Sequence, residues 1–282
     1  MKIYRNKVAV VTGAGNGIGR HLAIQLAQAG AHLALSDVNP GALQETIRLL
    51  PPGVRVRAYH VDVASKDQVF AHAADVRRDF GTAHFIFNNA GVSLSGTIEH
   101  STIEEIEWQV GINLWGVIYG TKAFLPMLLQ QRDGHIVNVS SIFGMIGYPC
   151  KGAYNVSKFG VRGWTECLWQ ELRGTGVRAV CVHPGGIRTE IGQTARLSVN
   201  ADHTERQAMA LSERMLVTPP QDMARAILEG VARGKNRIVY GNKARTLSLL
   251  QRWLPGSYGT VLRWLQRLAG ADARATVTGD AA

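Results

Sequence analysis

Tyr154 and Lys158, in the stretch Tyr154-Asn155-Val156-Ser157-Lys158, are the residues whose types and spacing speak most directly to chemistry. On a helix, a four-residue spacing puts both side chains on one face, about one turn apart. An ammonium beside a phenol favours the phenolate and lowers the phenol pKa from its reference near ~10. That yields a proton donor and acceptor usable near neutral pH, as reduction of a carbonyl or oxidation of an alcohol requires. The same spacing also describes an ordinary pair on a helix surface. The surrounding elements must decide between the two.

Apolar runs of strand length alternate with amphipathic runs of helix length. Residues 8–12, 31–36, 54–63, 84–88, 135–140, 178–183 and 237–240 read as strands, several rich in Val and Ile and apolar on both alternating faces. That pattern fits a parallel sheet covered on both sides. Helix-length segments fall at 18–28, 41–50, 66–79, 102–131, 153–173 and 221–233, and Ser101-Thr102-Ile103-Glu104 fits a capping box. The alternation predicts a doubly wound α/β fold with right-handed crossovers. The interval from about 186 to 220 shows no strand and is placed where a substrate lid would lie, or an ordinary surface excursion.

Between the first strand and first helix lies Thr12-Gly13-Ala14-Gly15-Asn16-Gly17-Ile18-Gly19-Arg20. Its glycines permit a tight turn, and Gly17 and Gly19 let backbone and helix N-terminus approach a pyrophosphate. Gly13, Asn16, Gly17, Ile18 and Gly19 are therefore candidate cofactor contacts. Asp37, about twenty residues on at the end of the second strand, is placed to accept hydrogen bonds from an adenosine ribose. Its charge would repel a 2′-phosphate, which favours NAD(H) over NADP(H). Arg20 argues the other way, since a nearby guanidinium can hold such a phosphate. Asp37 also reads as a plain turn residue before Pro40-Gly41.

Composition bounds the remaining classes. The chain has 282 residues, 46% hydrophobic and 18% charged, as in a globular protein. Neither a secretory nor a membrane-spanning segment is read from it, so the expected location is cytoplasmic. Cys150, Cys167 and Cys181 are odd in number and lack a CxxC spacing, so buried free thiols are expected, with no disulfide framework and no metal site. The net charge of +10 is largely C-terminal: nine basic residues stand against two acidic ones from Arg233 onward, leaving +3 for the first 232 residues. In the tail, Leu247, Leu250 and Leu254 share one helical face, and Val261, Trp264, Leu265 and Leu268 another. Arg263, Gln266 and Arg267 lie opposite the second face, and Pro255-Gly256-Ser257 forms the break. These faces would pack on the enzyme, its lid or a neighbouring subunit, or lie on an anionic membrane surface. No nucleic-acid motif accompanies the charge, and nucleic acid is not expected as a partner.

Taken in order, Thr12 to Gly19, Asp62 in Val61-Asp62-Val63, Asn88-Asn89-Ala90-Gly91, Asn113, Ser141, Tyr154 with Lys158, and Pro184-Gly185 with Thr189 resemble the short-chain dehydrogenase/reductase family in its single-domain form. The resemblance spans residues 7 to about 240. It implies a Rossmann fold with a mostly parallel seven-stranded sheet of order 3-2-1-4-5-6-7, helices on both faces, and an NAD(P)-dependent oxidoreductase interconverting a secondary alcohol and a ketone, or a primary alcohol and an aldehyde. By resemblance, Tyr154 is the general acid in reduction and the base in oxidation. Lys158 lowers its pKa and holds the nicotinamide ribose. Ser141, rather than Ser140, donates to the substrate oxygen, and Asn113 holds a water linking Lys158 to solvent. Asp62 and Val63 would meet the adenine, and Asn89, Ala90 and Gly91 would pack near its ribose. Pro184 and Gly185 would wall the nicotinamide, while Ile187 and Thr189 would bind its carboxamide.

The resemblance also implies a homodimer or homotetramer built on the two long helices, with Leu114, Trp115, Val117, Ile118, Phe124, Leu125, Val161, Trp164 and Leu168 as compatible apolar residues. The domain reading is a catalytic unit at 1–241 with a lid region at 186–220, and a basic amphipathic extension at 242–282. Lid and tail, with Ile142, Phe143, Met145, Ile146 and Tyr148, suggest a bulky apolar substrate. Two alternatives remain at this stage: a dinucleotide-binding regulatory or scaffold protein without turnover, and a relative that dehydrates or epimerises nucleotide sugars. The four intact catalytic positions weigh against the first, and the short chain against the second.

Overall fold

In the computed structural model, which describes residues 1–268, seven of the apolar runs pair into one parallel sheet. Its strands are β1 (Val8–Thr12), β2 (His32–Asp37), β3 (Val56–His60), β4 (Phe85–Asn88), β6 (Gly134–Val139), β7 (Val177–Gly185) and β9 (Arg237–Gly241), in the order β3-β2-β1-β4-β6-β7-β9. Counted along this sheet alone, the order is 3-2-1-4-5-6-7, as expected. The chain reverses direction of travel between β1 and β4, the kind of switch point at which open α/β sheets take ligands beside the carboxyl ends of the strands.

Strand β1 shows how the two faces are filled. Ala9 and Val11 point into one core with Leu22, Leu26, Met223, Ile227 and Leu228. Val8 and Val10 point into the other, with Val69, Val76, Phe124, Leu128 and Leu168. The first core is closed by α1 (Gly17–Gln28), α2 (Pro40–Arg48) and α9 (Pro220–Ala232), the second by α3 (Lys66–Phe80), α5 (Gly116–Gln131) and α6 (Gly152–Glu171). The period-two alternation of side chains explains why a strand in the middle must be apolar throughout. At the edge, β3 departs from that pattern: Arg57, Ala58 and His60 are exposed, as an edge strand permits.

The long helix expected at 102–131 is interrupted. It comprises α4 (Ile103–Val110), a π-helical turn at Gly111–Trp115, and α5. Its N-cap is Thr102, not Ser101: Thr102 Oγ1 accepts from the Glu105 amide at 3.3 Å, and the Glu105 carboxylate accepts from the Thr102 amide at 3.0 Å. This continuous stretch is long and apolar enough to cross a membrane by length and composition. Phe124, Met127 and Leu128 are nevertheless buried in the second core, as in an interior helix of a folded domain.

The 186–220 interval holds α7 (Glu190–Gln193), β8 (Arg196–Leu197) and α8 (His203–Glu213). The expectation of no strand there is corrected by β8, which pairs in parallel with β5 (Leu94–Ser95), two residues each. A pairing of two residues has too little sequence to show periodicity. The tail forms α10 (Ala244–Trp253) and α11 (Tyr258–Leu268), broken around Pro255 as read. Side chains beyond Trp264 lie outside the described set, so the reading of Leu265, Gln266, Arg267 and Leu268 is placed only by backbone. Of the three free thiols, Cys181 is buried, Cys150 half-buried and Cys167 exposed, so burial holds for one of them.

Candidate active site

Three elements carry the four catalytic candidates. Lys158 sits one turn beyond Tyr154 on α6, with its ammonium 5.7 Å from the phenol ring centroid. Its Nζ is buried and donates to the Val139 carbonyl at 3.0 Å, at the end of β6. Burial without a carboxylate partner pulls its pKa down to about 8. Tyr154 behaves differently from the simple expectation: burial pushes its phenol up, and a side-chain interaction with Ser141 only partly offsets this. The ammonium lies over the ring face and is engaged with a carbonyl, so it is not spent on the hydroxyl in this state.

Ser141 and Ser140 separate cleanly. Ser140 Oγ donates to the Lys158 carbonyl at 2.7 Å, which ties β6 to α6. Ser141 caps a 3₁₀ turn (Ile142–Gly144), its Oγ accepting from the Phe143 amide at 3.1 Å, and faces Tyr154. The π turn delivers Asn113 fully buried. Asn113 Oδ1 accepts from the Val92 amide at 2.8 Å, and Nδ2 donates to the Val92 carbonyl at 2.9 Å. A widened turn that aims one side chain inward is typical of π-bulges at functional sites. The amide of Asn113 is thus largely committed to the Val92 backbone. Gly91 keeps the space between: a Cβ there would stand 3.1 Å from Asn113 Oδ1 and 3.5 Å from Lys158 Nζ.

The dinucleotide candidates form a cradle at the carboxyl ends of β1, β2 and β4. Gly13 and Gly17 take positive φ (63° and 50°). A Cβ on Gly19 would lie 2.0 Å from the Gly13 carbonyl oxygen, so loop and helix touch only because that residue is glycine. Asn16 occupies the N-cap of α1 without capping it; its side chain instead donates to Glu190 at 2.8 Å. The first-turn amides of Gly17, Ile18 and Gly19 therefore lack a side-chain cap, an arrangement suited to an anion. Asp37 Oδ2 accepts from the Gly15 amide at 2.8 Å and Oδ1 from the Asn39 amide at 2.9 Å. Arg20 is turned away, donating to Gly15 O at 2.9 Å and to Glu45 at 3.2 Å. These features fit a bound dinucleotide.

Around the cradle, Asp62 Oδ1 accepts from the Ala64 amide at 2.9 Å, and Val63 packs against Gly116. Asn89 and Ala90 donate their amides to Thr12 Oγ1 at 3.0 and 3.1 Å, binding the β4 turn to β1. Pro184 and Gly185 end β7. Ile187 forms a parallel bridge with Thr218 through its neighbours, Arg188 N donating to Thr218 O and Thr218 N to Gly186 O. The bridge does not use Ile187's own amide and carbonyl. Thr189 lies against Gly17. Proximity links Gly13, Gly19 and Asn89, Gly15 and Asp37, Gly17 and Thr189, and Gly91 with Asn113 and Lys158.

Several contributors carried no sequence signal. Buried His183, on β7, bonds the Ser141 carbonyl through Nδ1 at 3.0 Å, and burial drops its pKa to about 4, so the ring is neutral. Asn155 donates to the carbonyls of Phe143 (2.7 Å) and Ile146 (2.8 Å), fixing the turn after Ser141. Lys151, buried beneath β5, donates to Ser93 Oγ at 3.1 Å and is also pulled down to about 8. Such roles depend on contacts across elements, and only Lys151's proximity to Tyr154 could have drawn notice. Glu205, buried on α8, bonds His100 at 2.7 Å and the Thr97 amide, and these donors hold its pKa down at about 2. It ties α8 to the loop after β5. His100, Asp202 and Glu205 cluster closely, but Asp202 and Glu205 are already a capping box.

Comparison with known proteins agrees with this geometry. The model of the short chain dehydrogenase family matches residues 7–200. A Mycobacterium tuberculosis protein with the provisional name oxidoreductase SadH is 43% identical over 263 residues, covering 92% of this chain and 94% of that one. Estradiol 17-beta-dehydrogenase 11 of Macaca fascicularis is 27% identical over 93% of this chain and 84% of its own. Among solved structures, a short chain dehydrogenase/reductase from Burkholderia phymatum in complex with NAD superposes with a TM-score of 0.81 at 30% identity, over 99% of this chain and 100% of that one. The chain belongs to the short-chain dehydrogenase/reductase family of oxidoreductases.

Proposed function

We propose that this oxidoreductase interconverts a bulky, apolar secondary alcohol and its ketone, with NAD(H) as the preferred dinucleotide. The observation that carries the reading is the convergence of Ser141, Tyr154 and a buried, carboxylate-free Lys158, in a fold whose first helix opens without a side-chain cap. A bound nicotinamide would supply the hydride in reduction and accept it in oxidation. In reduction, Tyr154 gives its phenolic proton to the substrate oxygen; in oxidation, its phenolate takes the hydroxyl proton. Ser141 donates to the same oxygen and holds charge as it develops. Lys158, charged below about 8, stabilises the phenolate left behind. Asn113 holds the Val92 turn against Lys158, where a water would connect to solvent.

NAD(H) is favoured because Asp37 is fixed by two backbone amides while Arg20 is engaged elsewhere. The apolar preference is supported by Phe143, stacked on Tyr148 (4.8 Å between centroids) and edge-on to Tyr154 (6.3 Å). Ile142, Met145 and Ile146 are buried and support that wall from behind. Residues 1–241 would be the catalytic unit, with 186–220 as its lid. Pairing through the long helices is supported by exposed Trp115, Val156 and Phe159; Val117, Phe124, Val161 and Leu168 are core instead. The unpaired thiols suit a reducing cytoplasm.

A steady-state screen of alcohols and ketones, with NAD(H) and NADP(H) side by side, tests the proposal. Turnover of alicyclic or aryl ketones with NADH, reduced about 10²–10⁴-fold in Tyr154→Phe, is expected. Dinucleotide binding without turnover of any carbonyl would instead indicate a regulatory or scaffold protein. Strong preference for NADP(H) would overturn the reading of Asp37.

A further inference from the structure

The tail presents two opposite faces. On α10, Ala244 and Leu247 turn inward and pack with Ile142 and Met145, directly behind the turn that follows Ser141. On α11, Tyr258 Oη accepts from the Gly147 amide at 2.8 Å, which pins the second helix to the same turn. The outward side is apolar as well. Leu249 and Trp253, four apart on α10, are 55% and 77% exposed, and Trp264 on α11 is 58% exposed.

Charge says what this face can meet. Lys243, Arg245, Arg252 and Arg263 are all exposed and make no ion pair among the described residues. Between Glu229 and Asp272 the sequence has no acidic residue at all. On a helical projection, Arg245 and Arg252 lie together along one edge of the Leu249–Trp253 stripe. A second copy docking the same face two-fold would set these cations against each other. A bilayer with anionic headgroups accepts both halves of the pattern, tryptophan and leucine at the headgroup–acyl boundary and arginine at the phosphates.

We propose that the α10–α11 pair is a docking surface for anionic lipid membranes. Because its inner face backs the turn after Ser141, docking holds the substrate side of the enzyme next to the bilayer, where apolar alcohols and ketones partition. The docking itself does not depend on which reaction is catalysed.

The test is co-sedimentation of the full chain with phosphatidylcholine vesicles, with and without phosphatidylglycerol, alongside tryptophan emission. Binding that needs phosphatidylglycerol, weakens in high salt and shifts tryptophan emission to the blue is expected. Trp253→Ser with Trp264→Ser, and separately Arg245→Glu with Arg252→Glu, should each weaken it about tenfold or more, by loss of apolar insertion and of headgroup attraction. Thermal midpoint and dinucleotide binding in vesicle-free buffer should stay as in the parent, because these side chains are exposed. Absence of binding to phosphatidylglycerol vesicles overturns the proposal, as does binding that both variants leave unchanged. A drop in particle mass by sedimentation velocity in the tryptophan variant, without vesicle binding by the parent, would reassign the face to a subunit contact.

Discussion

At the scale of single residues, the site depends on one uncompensated charge. Lys158 is buried, faces a carbonyl rather than a carboxylate, and titrates at about 8 rather than its ordinary 10.5. Below about 8 the fold carries the cost of burying the ammonium. Between 8 and 10.5 the native protein binds fewer protons than the unfolded chain, so this group makes stability rise with pH across that window. Lys158→Met should therefore remove that rise, read as a flatter dependence of the thermal midpoint on pH between 8 and 10.5. It should also lower kcat by about 10²–10⁴, since the phenolate loses its counter-charge. A variant that kept parental turnover would remove Lys158 from the proton path.

Among elements, the junction of β1 and α1 leaves no room for a side chain at Gly19. The absent Cβ of Gly19 is what lets the Gly13 carbonyl and the Asn89 side chain sit against the helix start. Gly19→Ala would force a shift costing about 1–3 kcal/mol, as overpacking does. The expected result is a lower thermal midpoint together with dinucleotide affinity weakened more than tenfold by calorimetry. Parental affinity would show that the loop can yield without losing its cradle. The π turn acts in the same way on a different group: it carries Asn113 inward at a point where a regular helix would have rotated it elsewhere.

For the whole molecule, the question is how the tail joins the catalytic unit. Leu247 packs on the cluster of Ile142, Met145 and Ala244, so the wall beside Tyr154 rests partly on residues beyond the sheet. Leu247→Ala should raise KM for bulky ketones several-fold more than for small ones, with a loss of about 1–3 kcal/mol in unfolding free energy, less than for a fully buried leucine. Equal effects on large and small substrates would mean the tail supports the fold without shaping the pocket.

Legibility followed the range of the interactions. Strand periodicity, the glycine run, Asp37, and the order of Ser141, Tyr154 and Lys158 are written in short stretches, because backbone conformation and helical spacing are local properties. They determined the doubly wound sheet and its order through the family resemblance, and they named the candidates for the site. The π turn, the two-residue β5–β8 pairing, His183 behind Ser141 and the clamp of Asn155 depend on groups far apart in the chain. Only packing brings them into contact. The same holds for electrostatics: Tyr154-x-x-x-Lys158 suggests a lowered phenol pKa, but burial raises it and directs the ammonium to Val139. Desolvation is set by everything that surrounds a group, and no spacing in the sequence records it.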